Sequence, residues 1–571
     1  MTRLFNVEGK KTNDRLLLWL ARAAALVAIT AASADLLLGA RQLLHSDTAV
    51  KSVLALQAVW QGRLLPEAWT YSNGDLLTAN PYLFALPLTW LFGVNLTSNA
   101  FAGWMGYAAM LLAAGCLIRR IATVRLRDDA GGLVALALVA STMSVASFEF
   151  IVRQGAYSAY AAAVLLLLWA VLSRGDRRHA ALACVLAALL ASSNPTRAAT
   201  LVFAPVLLAL LADAMFPSRI APGVSRWQGL ASRTVAGMLV GALLGSLAYH
   251  GLLMPRLDNY LAAANIGMPT RESVAVAVAR IVPDAIAYAA AGPQWPLASP
   301  GQRLFQLAIW ALWLAALLVP CAILLQRGMP ALQRRLAWTS TAMFCAGVLP
   351  LIFANGLYTS RSEFRYASLG VLVAWILLGT TLGRRVAERR TGSAIMLAVA
   401  ALLAMSSALA WNVNRPLRNP SYEGMAQQSP AMVDYLRQAR AGTAAATYWN
   451  SHVLSVLSDA GVLVNPINPT GQGFARYPSL APLRPLRGGF GPRHAVILTQ
   501  EETASASGMA LQQQFGEPLR RETFGPFVVS VYETPVVDDL YGVEASTSLA
   551  IPAPPPVSAA PVVQPDLLES L

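Results

Sequence analysis

Runs of about twenty apolar residues recur along this chain, and the short stretches between them are rich in arginine. An uncharged run of that length fits a bilayer far better than the surface of a soluble domain. The composition agrees: 56% of the chain is hydrophobic and 13% charged, against about 25% charged in ordinary globular domains. Mean hydropathy is +0.51. The net charge of +14 is no nucleic-acid signature. The arginines cluster between apolar runs, as the positive-inside rule expects, and no basic stripe is interleaved with aromatics, so nucleic acid is set aside. The four cysteines, Cys116, Cys184, Cys321 and Cys345, all lie within apolar runs without metal-ligand spacing and read as small buried residues. Arg3, Lys10, Lys11 and Arg15 precede the first run, which has no small-residue cleavage site and reads as a retained helix. The excess of Arg over Lys suggests a GC-rich bacterial gene.

Hydropathy and basic clusters predict an α-helical polytopic membrane protein with about eleven transmembrane helices. They fall near 17–39, 99–118, 130–150, 156–173, 180–193, 198–216, 234–254, 302–325, 337–354, 367–383 and 394–412. The N-terminus is then cytoplasmic, in a bacterial inner membrane, with outer loops at 40–79 and 255–301. The segment 80–95 is short for a span and reads as re-entrant or interfacial. Ser192-Ser193-Asn194-Pro195-Thr196-Arg197 splits two short runs; for Asn194 and Arg197 the reading is structural. Only a double crossing by 180–216 keeps the clusters at Arg334 and Arg384 inside.

From about 414 the composition shifts toward polar residues, Pro and Gly. Helices are expected at Ser429–Gln438, Ser451–Asp459 and Thr503–Phe515, and strands at Ala444–Tyr448, Val462–Val464, His494–Thr499 and Phe527–Tyr532. The organisation expected is a transmembrane module over 1–413, an extracytoplasmic α/β domain over 414–546, and a disordered Pro/Ala-rich tail over 547–571.

The outer loops hold the residues suited to chemistry. Asp47, just after the first span, is a candidate base or metal ligand at the membrane surface. Apolar positions over 48–60 suit a helix lying on the membrane, with Asp47 near its start. The plain alternative is a helix cap paired with Lys51. Asp75 follows Asn73-Gly74 and is equally at home as a turn residue. Tyr358 to Tyr366 is a second outer stretch. In it Arg361 and Arg365 stand four apart, with Glu363 and Tyr366 beside them, spaced to clamp a phosphate from one helix face; snorkelling or a Glu363 pair is the alternative. Arg153 and Tyr157 occupy another outer turn, as a phosphate or sugar contact or an interfacial anchor. The 255–301 loop reads as a mobile flap.

The order of these features resembles the GT-C class of polytopic glycosyltransferases that use polyprenyl-phosphate sugars. Asp47 stands where that class carries an acid after its first helix, although Thr48 and Ala49 follow where a second acid is usual, which leaves metal dependence open. Asn80-Pro81-Tyr82-Leu83 through Leu91-Phe92-Gly93 is similar to the family's Pro-Pro-Leu segment, and Arg361 to Tyr366 resembles the Arg-Tyr-containing outer loop of some members. The resemblance implies an inverting transfer from a polyprenyl-phosphate sugar to a lipid-linked or cell-envelope acceptor, on the outer face of the inner membrane. Asp47 would be the base. Arg361 and Arg365, with Arg153 or Lys51, would hold the leaving phosphate. Tyr157, Glu363 and Tyr366 would line the substrate site. Asp75 would position the acceptor or, with Asp47, a divalent cation such as Mg or Mn. Expected partners are the donor, a glycan or lipid acceptor and membrane lipids. The rival readings are a lipid or glycan transporter or flippase, another membrane polymerase or ligase, and a non-catalytic scaffold with a binding domain. A proton-coupled pump would need ionisable residues deep in the spans; Arg22, Asp35, Glu149 and His250 lie near ends or in the first helix.

Overall fold

A computed structural model describes every residue except 1, 45, 77–81, 122–125, 144–146, 148–150, 153–156, 173–175, 217–231, 261–267, 290–299, 327–328, 354–360, 389–390, 414–419, 471–472 and 543–571. Asn80, Pro81, Glu149, Arg153 and the tail 547–571 therefore fall outside the described residues. The rest forms two compact units. The first comprises Met1–Leu44, Thr70–Phe84 and Ala100–Glu423; the second comprises His45–Trp69, Ala85–Asn99 and Gly424–Leu571.

The first unit is helical. Among the described residues eight helices are long and apolar enough to cross a membrane. They are Arg15–Leu38, Leu96–Ile121, Pro195–Met215, Arg233–Arg256, Arg303–Leu325, Ala331–Phe353, Glu363–Ala387 and Gly392–Leu409. The other three expected spans are also helices, but shorter: Asp129–Ser141, Ser158–Leu172 and Arg177–Ser193. At 15 residues the helix Ser158–Leu172 is ~22 Å long, short of the ~30 Å hydrocarbon core. The segment read as re-entrant or interfacial holds an 11-residue helix, Tyr82–Phe92.

Two local devices shape this unit. Asn194 ends one helix and begins the next. It sits at φ −160° and ψ 99°, its side chain accepts from the Arg197 backbone N–H at 2.9 Å, and Pro195 takes the first helical position, where its missing N–H costs nothing. The second device is close backbone packing. Gly237, Gly241 and Gly245 repeat every fourth residue along the helix Arg233–Ala248 and meet backbone atoms of Ala180, Cys184 and Ala188. A Cβ on Gly241 would fall 2.0 Å from the Cys184 carbonyl oxygen, so only glycine permits this approach. Gly131 and Gly379 serve the same purpose where the helix Leu126–Ser141 meets Ser368–Ala387. The core of the unit includes a fully buried Trp375, edge-on to Trp313 at 5.3 Å. A short parallel pairing joins β1 (Trp69–Ser72) and β2 (Asp258–Tyr260), with Thr70 opposite Asp258.

The second unit is α/β. Its strands are β3 (Ala441–Thr447), β4 (Leu463–Thr470), β5 (Gly473–Arg476), the two-residue β6 (Ala481–Pro482), β7 (Arg493–Thr499), β8 (Arg520–Phe524) and β9 (Phe527–Tyr532). The main sheet has the order β5-β4-β3-β7-β9-β8. β3 runs parallel to both β4 and β7, while β5, β9 and β8 are added antiparallel. Ile467, Phe474, Val496 and Leu498 pack with Leu511, Val536 and Leu540 on one face. The helix expected at Thr503–Phe515 is two helices, Gln500–Ala504 and Ala506–Phe515. Thr499 closes a capping box with Glu502, and Ser505 caps the second helix.

The helix expected to lie on the membrane surface spans Ser46–Gln61, and residues 49–58 of it are all buried. A surface helix buries one stripe only. This helix is enclosed by protein instead.

Candidate functional site

In the second unit, Asp47 lies in the first turn of the helix Ser46–Gln61, with Lys51 one turn on and 6% exposed. The Tyr448 hydroxyl donates to Asp47 Oδ1 at 2.6 Å. Tyr448 directly follows the carboxyl end of β3, which is flanked by parallel strands on both sides. In open α/β sheets that end is where side chains converge on a ligand. Its ring stacks on Tyr477 at 4.6 Å and 19°, and meets the exposed Trp449 edge-on at 5.2 Å. Ser451 Oγ donates to the Tyr448 carbonyl at 2.8 Å and lies 3.4 Å from Ser46 Oγ. The helix carrying Asp47 is thus tied to the turn carrying Tyr448. Burial pushes the Tyr448 phenol well above its ordinary range, and the adjacent Asp47 carboxylate pushes it the same way. It therefore acts as a neutral donor.

Within electrostatic reach of Asp47 is His452, fully buried and 6.0 Å from the Trp69 ring. Its Nε2 donates to the Leu480 carbonyl at 3.3 Å, while Nδ1 and the Trp69 indole N–H meet no hydrogen-bond partner among the described residues. Burial pushes the His452 pKa down to about 4, against the upward pull of the Leu480 carbonyl and Asp47.

The first unit holds a separate polar centre. Asn73 and Gly74 both take positive φ, 52° and 69°, in a tight turn that presents Asp75. The turn is held by Asn73 N–H on the Tyr260 carbonyl (2.8 Å), Gly74 N–H on Asn259 Oδ1 (2.9 Å), and Tyr249 OH on the Gly74 carbonyl (2.8 Å). Asp75 pairs with the Arg197 guanidinium and accepts from Ser193 Oγ at 3.3 Å; Asn194 Nδ2 donates to the Asn73 carbonyl at 3.2 Å. Tyr157 lies within electrostatic reach of Arg365, Arg197, Tyr366 and Asp75, and Tyr160 within reach of Arg197 and Asp75. Arg365 pairs with Glu363 at 3.3 Å and lies over the Tyr366 ring at 5.3 Å. Three distant stretches of sequence therefore bring Asp75, Tyr157, Arg365 and Tyr366 together.

One expectation changes in detail. Arg361–Ala367 is a 3₁₀ helix, not an α-helix. At three residues per turn, positions four apart stand ~120° around the axis, so the winding does not give Arg361 and Arg365 a common face. The Arg361 side chain, like Arg153, lies outside the described set. The acids named for a metal also have other partners. Among the described residues no three His, Cys, Asp or Glu side chains group as ligands for one ion. Asp47 accepts from the Tyr448 phenol, and Asp75 pairs with the Arg197 guanidinium.

Tyr160, Tyr448, Tyr477 and His452 are not among the residues the sequence singles out, and Arg197 is read there as structural. Asn194-Pro195 signals the cap that places Arg197, and Tyr448 is the last residue of an expected strand, one beyond the observed end of β3. Neither signal names a partner.

No family model matches the chain, and no curated protein sequence matches it. Among solved structures it is similar to that of the Archaeoglobus fulgidus oligosaccharyltransferase in complex with Zn and sulfate, with 11% identity and a TM-score of 0.40 over 78% of this chain and 62% of that one. The chain thus spans about three-fifths of that protein's length, and the identity is too low for any residue to be carried over.

Proposed function

We propose that this chain is an integral membrane glycosyltransferase that moves a sugar from a polyprenyl-phosphate donor to a glycan or lipid acceptor, with inversion. The observation that carries this reading is the Asp47 carboxylate, held at 2.6 Å by a neutral phenol in the first turn of a buried helix. A carboxylate so held is fixed in orientation, as a base for a hydroxyl must be. In the reaction Asp47 takes the acceptor proton while the acceptor oxygen bonds to the anomeric carbon. The bond from that carbon to the phosphate oxygen breaks, and the electron pair leaves with the phosphate. Such a leaving group needs positive charge more than a strong acid. Within the first unit, Arg365 and Arg197, each paired with a carboxylate, are guanidiniums of the kind that bind a phosphate, with the hydroxyls of Tyr157 and Tyr160 within electrostatic reach of Arg197 or Arg365. The arginines at the ends of Leu96–Ile121 and Ser368–Ala387, and in the first turn of Ala331–Phe353, support a cytoplasmic face there and chemistry on the outer one.

The test is transfer of label from polyprenyl-phosphate sugars to a membrane lipid extract by the purified protein and by Asp47→Asn. Loss of at least about 100-fold in the variant is expected. Equal transfer by both would remove Asp47 from the chemistry. A folded wild-type protein inert with every donor would favour the transporter or scaffold.

A further inference from the structure

We infer that Tyr448 is the positioning residue for Asp47, holding the carboxylate in a single orientation toward the acceptor hydroxyl. The inference rests on the transferase reading. Tyr448 is 6% exposed, and its phenol donates to Asp47 Oδ1 at 2.6 Å. Its ring is fixed by the Tyr477 stack on one side and its backbone by Ser451. A freely rotating carboxylate samples several rotamers, whereas one tied to a rigid phenol does not. The site is therefore assembled from residues 401 positions apart, and the C-terminal region takes part in the chemistry as well as in any acceptor binding.

Two measurements test this. The first needs no substrate. The Asp47 carboxylate band, isolated as the infrared difference between the protein and Asp47→Asn, should be displaced when the same difference is taken in a Tyr448→Phe background. Identical bands would show that the bond is not made and overturn the inference. The second is transfer from labelled polyprenyl-phosphate sugars to the lipid extract by Tyr448→Phe, with rates taken per folded molecule. The expected result is a kcat about tenfold lower with a donor KM within about twofold of wild type. A merely structural role would lower the amount of folded protein and leave kcat per folded molecule in place, which would overturn the inference. An unchanged kcat beside an inactive Asp47→Asn would overturn the role of Tyr448 and leave the transferase reading standing. A fully active Asp47→Asn, or a wild-type protein without transfer, would overturn both.

Discussion

Asp47 was legible because it follows the first apolar run, in a loop the charge bias places outside. Its environment was not legible, since Tyr448 lies 401 residues on and no spacing rule reaches that far. Arg197 shows the same limit. Asn194-Pro195 announces a helix start, but only the Asn73-Gly74 turn makes the cap an anchor for Asp75. Both groups of this pair are mostly buried. Asp75→Asn or Arg197→Gln should each cost about 2 kcal/mol, and the double variant should cost less than their sum. Strict additivity of the thermal shifts in detergent would show that the pair is not coupled. His452 yields a pH prediction. Its folded pKa of about 4 lies below the unfolded value of about 6.5, so the unfolded chain binds the proton first as pH falls. The stability associated with keeping it neutral is intact above about pH 6.5 and is lost as pH falls to about 4. The loss is about 3 kcal/mol and levels off below that. Denaturation midpoints between pH 7 and pH 4.5 should follow this fall, and His452→Gln should flatten it. An unaltered slope in the variant would assign the fall to other groups.

Among the elements, long helices were legible because an apolar run has few other uses. Strands were legible where β-branched residues run together: Phe527–Tyr532 lies where the pattern puts it. β4 was predicted at three residues and has eight, because Pro466 and Pro469 mask a strand in any propensity reading. β8, Arg520–Phe524, was missed because it is a charged edge strand, polar for the reason edges usually are. The close pairing of Arg233–Ala248 with Arg177–Ser193 also went unseen. Its glycine repeat is weak in a chain with 40 glycines, and only the contact distances single it out. Gly241→Leu should destabilise the protein by at least about 3 kcal/mol, through overpacking against backbone that has no rotamer to adjust. Gly103, with open space around it, should tolerate alanine or gain slightly. Equal melting temperatures for the two variants would show that the helices do not pack this closely.

At the scale of the whole molecule, the second unit draws on three separated stretches, His45–Trp69, Ala85–Asn99 and Gly424–Leu571. The helix Ser46–Gln61 buries residues 49–58 and shares Ser46 and Asp47 contacts with the 448–451 turn. A fragment beginning at residue 424 would leave that turn uncovered. It should therefore fold less stably than the same fragment supplied with a 45–69 peptide, by about 3 kcal/mol or more of buried apolar surface. Chemical denaturation with and without the peptide checks this, and equal midpoints would sink it. The sequence by itself determined the helical membrane class, the α/β character of the C-terminal region and the place of the first acid. Those properties follow from local hydropathy, charge bias and propensity. Tertiary structure decided that the stretch after the first apolar run joins the C-terminal strands, that Asp47 meets Tyr448, and that Asp75 answers to Arg197 at a helix break. Those are contacts between residues far apart in the chain, chosen by packing and hydrogen-bond satisfaction, and neither leaves a periodic trace in sequence.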